Sequence, residues 1–205
     1  MVHLHSNRNN RQVPILSGTS LVGALRARAL RISKTVGTEE QAKIFINKLF
    51  GLRIESPEDK PSASRLIANE TVVEDIIDLV QSRIKIDRFT GGSFPTALFS
   101  EQPVFGKSNT LVKILIDIRQ PKDAEIGLML LLLKDLWTGD LPLGGEISVG
   151  RGRLQGVRAQ FTLKKVNSVD SKRWMIRQAK ESLETSGDIN NLENFVKSFI
   201  EEIKA

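Results

Sequence analysis

Residues 141–156 read Leu-Pro-Leu-Gly-Gly-Glu-Ile-Ser-Val-Gly-Arg-Gly-Arg-Leu-Gln-Gly and hold five of the chain's fifteen glycines. A glycine has no Cβ, so its backbone can turn sharply or press against a ligand. Arginine supplies a planar, permanently charged fork that matches phosphate oxygens. Gly144, Gly145, Gly150, Arg151, Gly152 and Arg153 therefore have the means to grip a phosphate backbone. The run Val149–Gly156 superficially matches a dinucleotide fingerprint, which needs a helix after it. Here Val157-Arg-Ala-Gln-Phe-Thr-Leu163 alternates as a strand does, which argues against a nucleotide fold of that kind.

A second anion-seeking stretch is Ser17-Gly18-Thr19-Ser20, at the start of a helical pattern. Free N–H groups at a helix N-terminus attract anions. Arg26, Arg28, Arg31 and Lys34 follow, off an apolar stripe of Val22, Leu25, Ala29 and Ile32. The first 34 residues carry six Lys/Arg and no Asp/Glu. Gly18 and Gly23 have the spacing of a P-loop, but Ala24-Leu25 stands where lysine and a hydroxyl are needed.

The third stretch is Asp87-Arg88-Phe89-Thr90-Gly91-Gly92, a glycine turn beside an arginine. Asp87 can do acid–base work there, or pair with Arg88, or cap the turn. Aromatic content is 5% with no tyrosine, so base-stacking candidates reduce to Phe89, Phe94, Phe99 and Phe105, each of which can also serve the core. His3 and His5 are the only histidines, and no cysteine is present. That removes disulfides, thiolate zinc and a Ser/His/Asp arrangement, and leaves the histidine pair as an exposed terminal feature or a poor metal site. No metal site and no cofactor is expected.

The elements that must hold these stretches are partly legible. Residues 1–13 are polar and read as a loop or frayed terminus. Thr38 and Gln41 predict a capping box for a helix buried through Ala42, Phe45 and Leu49 and stopped by Gly51. Residues 55–64 read as loop, Leu66–Val73 as a strand, and 72–80 as strand or short helix. Arg83–Arg88 alternates, and Thr110–Ile118 is the clearest strand pattern, with Val112, Ile114, Ile116 and Ile118 on one face. Asp123 is expected to cap a buried helix over 124–137. Helices are expected over 174–183 and along Leu192, Phe195, Val196, Phe199, Ile200 and Ile203, the latter capped by Asn190 with Glu193.

At 205 residues the chain suits one domain with an appendage, and its net charge of +6 with a pI near 9.7 favours polyanion partners. No apolar run approaches a membrane span, and the N-terminus lacks the apolar core of a signal peptide. A cytoplasmic protein without membrane contact is expected.

Taken in order, Ser17–Arg26, Leu49-Phe-Gly51, Ile86–Phe99 and Leu143–Arg153 resemble the CRISPR-associated RAMP superfamily, most closely the backbone subunits of type III effector complexes. The resemblance covers about residues 13–165. It implies an α+β fold with a ferredoxin-like, RRM-related core and insertions, a domain over 1–165; the C-terminal helices read from periodicity lie outside it, as a helical extension over 166–205. It also implies binding of guide RNA, pairing with target RNA, and partners among other effector subunits, copies of the chain included. Ser17, Gly18, Thr19, Ser20, Arg26 and Arg28 would match the family's RNA-contacting turn and helix. Arg88, Thr90, Gly91 and Gly92 would match a guide-contacting or protruding hairpin, and Gly144 to Arg153 the glycine-rich loop. In the target-cleaving subunits, a long loop after a first strand carries a catalytic aspartate. Only sixteen residues precede Ser17 here, none acidic, and the first aspartate is Asp59. The resemblance thus implies a shortened N-terminus or a strand lent by a neighbour, and no catalytic residue is carried over. A metal-dependent endoribonuclease using Asp87 or a carboxylate from elsewhere in the complex, and a protein-only scaffold, stand as alternatives.

Overall fold

Asn9 and Asn10 both take positive φ, 52° and 60°. That is the backbone of a primed two-residue turn, whose twist suits a hairpin. Residues 5–16 accordingly fold as two paired strands, where polarity had suggested a loop. The Asn-Asn pair was the signal to read.

The computed structural model describes residues 2–52, 54, 56–58, 60–164 and 171–205. Over them the fold is α+β. The elements of its first half are β1 (His5–Arg8), β2 (Arg11–Leu16), α1 (Gly18–Val36), α2 (Glu39–Phe50), β3 (Leu66–Ala68), β4 (Thr71–Val72), β5 (Ile76–Asp78) and β6 (Gln81–Ile86). There follow β7 (Ser93–Glu101), β8 (Val104–Gly106), β9 (Ile116–Ile118), α3 (Asp123–Trp137), β10 (Arg158–Lys164), β11 (Ser171–Ala179), β12 (Ser182–Ser186) and α4 (Ile189–Lys204). Pairing is spread over small sheets: β1-β2-β4, β10-β11-β12, β3-β9, β5-β8 and β6-β7.

The chain divides into two compact units. The first takes the residues up to Thr19 together with Ala68–Ile116. In it β2 pairs with β1 and, through Ile15 and Leu16, with β4. The long antiparallel β6–β7 hairpin puts Ile84 opposite Leu98, with a register shift before Ile86. Only 116–118 of the expected Thr110–Ile118 strand pairs in a ladder. Side chains still alternate in exposure from 111 to 118, but the backbone is satisfied otherwise. Thr71 Oγ1 donates to Lys113 O at 2.7 Å and Asn69 N to Leu115 O at 3.2 Å.

The second unit comprises Ser20–Ile67 and Asp117–Ala205 and holds all four helices bar the first two residues of α1. Helix α1 buries Leu21, Leu25, Ala29 and Ser33, a stripe of strict i, i+4 spacing. Val22 and Ile32, expected on that stripe, are only half-buried beside it. The Thr38–Gln41 capping box forms, and Ala42, Phe45, Ile46, Leu49 and Phe50 of α2 are buried. Phe45 meets Phe199 of α4 edge to face at 5.6 Å.

Three further expectations are corrected. The cap of α3 is Lys122, whose N–H reaches the Glu125 carboxylate at 2.9 Å, and Asp123 is the first helical residue. The cap of α4 is Asp188, accepting from Asn190 N at 3.1 Å, two residues ahead of the expected cap Asn190. Residues 171–186 form β11 and β12, not a helix. Seven register pairs with β10 and a two-residue turn at Lys180-Glu181 outweigh the helix-forming residues of that stretch, a tertiary override of weak local preference. The boundary expected at 165–166 lies outside the described residues, and residues 171–205 belong to the second unit. No helix among the described residues is long and apolar enough to cross a membrane.

Candidate nucleic-acid interface

In the first unit, β2 runs straight into Ser17, whose hydroxyl lies 2.8 Å from that of Thr19. A Cβ built on Gly18 would stand 2.1 Å from Ala68 O. The glycine at this turn is thus demanded by backbone packed against backbone.

The β6–β7 hairpin is held at its base and open at its tip. At the base Arg83 Nε meets the buried Glu101 carboxylate at 3.0 Å. Gln102 donates to Asp78 at 2.7 Å, and His3 N to Gln102 O at 3.1 Å. At the tip, Asp87 accepts from Phe89 N at 2.9 Å and from Thr90 Oγ1 at 3.1 Å. Gly91 N donates to Asp87 O and Asp87 N to Gly92 O, both at 2.9 Å. Asp87 is therefore the residue that closes the turn, the structural one of the readings open from sequence. Arg88 is exposed and Phe89 is 99% exposed. Lys85 Nζ sits 4.7 Å from the centre of the Phe94 ring, a cation–π contact that the alternation of the strand alone did not announce. Ile84, Ile86 and Leu98 are 53%, 60% and 72% exposed, an apolar strip left uncovered by this chain.

In the second unit, Ser20 is exposed at the start of α1, and the two expected helix arginines are bound into the fold. Arg26 donates to Asn47 Oδ1 at 2.7 Å and to Phe50 O at 3.5 Å, tying α1 to the end of α2. Arg28 Nε meets Asp135 Oδ2 of α3 at 2.6 Å, with Lys134 Nζ 3.0 Å from the other oxygen. Burial alone would raise the Asp135 carboxyl, but hydrogen bonds from Arg28 and Lys134, reinforced by their charges, hold it below its ordinary value.

A depressed carboxyl contributes stability above its unfolded value of about 3.9 and loses it as the pH falls through the lower folded value. Asp135→Asn is therefore expected to cost about 2 kcal/mol at pH 7, less than for a fully buried pair because Arg28 keeps some contact with water. Urea midpoints of the two proteins should approach each other as the pH falls through the lowered folded value of Asp135, and a gap that stays constant to acid would refute the pairing.

The glycine-rich loop is organised about Glu146, which takes left-handed backbone at φ 57°. Glu146 O accepts from Val149 N at 3.1 Å and from Arg151 N at 3.4 Å, and its carboxylate pairs with the Arg151 guanidinium. Gly152 closes the loop: its carbonyl accepts from Leu143 N at 2.9 Å, and a Cβ there would fall 1.9 Å from Leu143 O. Gly144, Gly145, Gly150 and Arg153 are exposed. Arg153 makes no ion pair among the described residues.

Of the five expected arginines, then, Arg26, Arg28 and Arg151 have protein partners, and Arg88 and Arg153 face solvent, one in each unit. The residue most fully missed is Arg65. It donates to Lys48 O (3.2 Å), Arg119 O (3.3 Å) and Gln120 O (3.0 Å), and pairs with the buried Glu125. It sits just past a loop-like segment, and nothing in its immediate sequence marks it. His3 Nε2 lies 3.0 Å from Ile15 O, and His5 Nδ1 2.7 Å from His3 O. No group of His, Asp or Glu that could hold a metal occurs among the described residues.

A family model described as the RAMP superfamily matches residues 2–155. Among solved structures, a chain of a "CRISPR RNA-guided surveillance complex" superposes with a TM-score of 0.60 at 8% identity, over 97% of this chain and 90% of that one. A chain of a "Type IV-B CRISPR Complex" superposes with a TM-score of 0.53 at 13% identity, over 74% of this chain and 77% of that one. No curated protein matches the sequence.

Proposed function

This chain belongs to the RAMP superfamily, and from that premise we propose that it is a guide-RNA-binding subunit of a type III CRISPR effector complex, with no cleavage chemistry of its own. Its partners are guide RNA, target RNA and other effector subunits. The observation that carries the reading is the β6–β7 hairpin, anchored by Arg83–Glu101 at its base and presenting Arg88 and a bare Phe89 ring at its tip. A cation beside an exposed ring serves a phosphate and a base together. Arg153 on the glycine loop adds a second free fork. Asp87 favours binding over chemistry, since both its carboxylate oxygens accept hydrogen bonds from the turn.

If about five phosphates are neutralised, the affinity for single-stranded RNA falls roughly a hundredfold between 50 and 200 mM salt, at about 0.7 per phosphate. Filter binding across that range tests it, and a flat salt profile would overturn it. The uncovered strip of Ile84, Ile86 and Leu98 favours one second reading, a scaffold that touches only protein. In that case RNA is not retained at any salt.

A further inference from the structure

The three-stranded sheet β10-β11-β12 lies beyond residue 155, where the family match ends. One of its faces looks inward: Trp174 is buried and meets Phe195 edge to face at 6.0 Å, and Phe161, Leu163 and Ile176 are half-buried on the same side. Strand alternation and the observed register put the other residues on the opposite face. These are Arg158, Thr162 and Lys164 of β10, Arg173 and Arg177 of β11, and Glu184 of β12, all exposed. Four cations share this face with one carboxylate. None of the four makes an ion pair among the described residues.

Arg158 stands directly opposite Arg177 in the ladder, and Glu184 stands opposite Arg177 on its other side, so one carboxylate faces two arginines in that row. Like charges so placed weaken a sheet, and an anion bound across them removes the cost. Arg173 and Arg177 are four residues apart, about 13 Å along the strand, and Arg158 to Lys164 spans about 20 Å. A line of that length suits several phosphates in a row, not a single anion. Thr162, Ser171 and Gln160 offer further donors between the cations. The face has no aromatic side chain and Met175 is its sole large apolar one, so it lacks the apolar core by which a protein partner is held.

We propose that the outer face of β10-β11-β12 is a second RNA-binding surface, which takes the phosphate backbone of a single strand without reading its bases. The proposal rests on the reading that this chain binds RNA, and a test on the full chain separates the two. Fluorescence anisotropy with polyuridylic acid over a salt series compares wild type with an Arg158→Gln/Arg177→Gln variant. The variant is expected to lose about 1.4 from the salt slope, two contacts at about 0.7 each. Its melting temperature is expected to hold, because one opposed like-charge pair (Arg158–Arg177) and one opposed unlike pair (Arg177–Glu184) are lost together. Arg158→Lys/Arg177→Lys should keep the slope.

An unchanged slope in the glutamine variant, with binding lost in an Arg88/Arg153 variant, overturns this surface and leaves the hairpin reading intact. Such a result would assign the face to an acidic protein. A lowered melting temperature also counts against it, since the arginines would then be serving the sheet. Loss in the glutamine variant with full binding in the Arg88/Arg153 variant supports the surface and sinks the hairpin site. A wild-type chain that binds no RNA overturns both.

Discussion

Reversing Arg88 and Arg153 together to glutamate is expected to lower affinity for single-stranded RNA by about a hundredfold at physiological salt, with the fold intact. Both side chains are exposed, and neither makes an ion pair among the described residues, so no internal partner is orphaned by the change. On the proposed reading each would contribute a charge-assisted contact to phosphate, and two such contacts at the weak end of their range account for that factor. The salt slope should fall by about 1.4 in the same variant. Arg26→Ala and Arg28→Ala should behave in the opposite sense, lowering the melting temperature more than the RNA affinity, because their forks hold α2 and α3. Equal affinity in the Arg88/Arg153 variant and the wild type would remove the hairpin and the glycine loop from the interface.

Arg65→Ala is expected to destabilise the protein by about 3 kcal/mol, the largest stability effect of any single arginine substitution considered. The change frees three carbonyls at the ends of α2 and β9, and leaves the carboxylate of Glu125 buried with only the Lys122 N–H. Lysine should not rescue it, since one ammonium cannot serve four acceptors set around a planar fork. The Arg65→Ala/Glu125→Ala double variant should lose less than the sum of the singles, because each single leaves the other's partner stranded. Additive losses in urea denaturation would show that the two do not act as a pair.

Local signals carried much of this fold, and the places where they failed share a cause. The capping box at Thr38 and the stop at Gly51 each depend on residues a few positions apart, and each is found in place; of the alternation expected over 83–88, the strand keeps only 83–86, where Ile84, Lys85 and Ile86 are all exposed. The helix expected at 174–183 failed because the deciding contacts are with residues 158–164, across the Trp174–Phe161 register. The strand expected from Thr110 kept its alternation but not its ladder, since Thr71 and Asn69 satisfy its backbone from a distance. The same distinction runs through the site. Composition showed where arginines cluster, but not that Arg28 has a carboxylate 107 positions along the chain or that Arg151 has one within its own loop. Nor does the sequence show that the space a Cβ would take at Gly18 and Gly152 is occupied by backbone.

The second unit is assembled from two stretches of chain with residues 68–116 between them. Its core is therefore incomplete while the protein is being made. Phe45 has no ring to meet until Phe199 is synthesised, and Arg28 waits for Asp135. Helices α1 and α2 leave the ribosome early with Leu25, Ile46 and Leu49 bare, and closure comes only with the last sixteen-residue helix. Such long-range closure makes folding slow and leaves apolar surface open to chaperones or to premature association. A nascent chain halted before α4 is accordingly a species the cell must shelter or degrade.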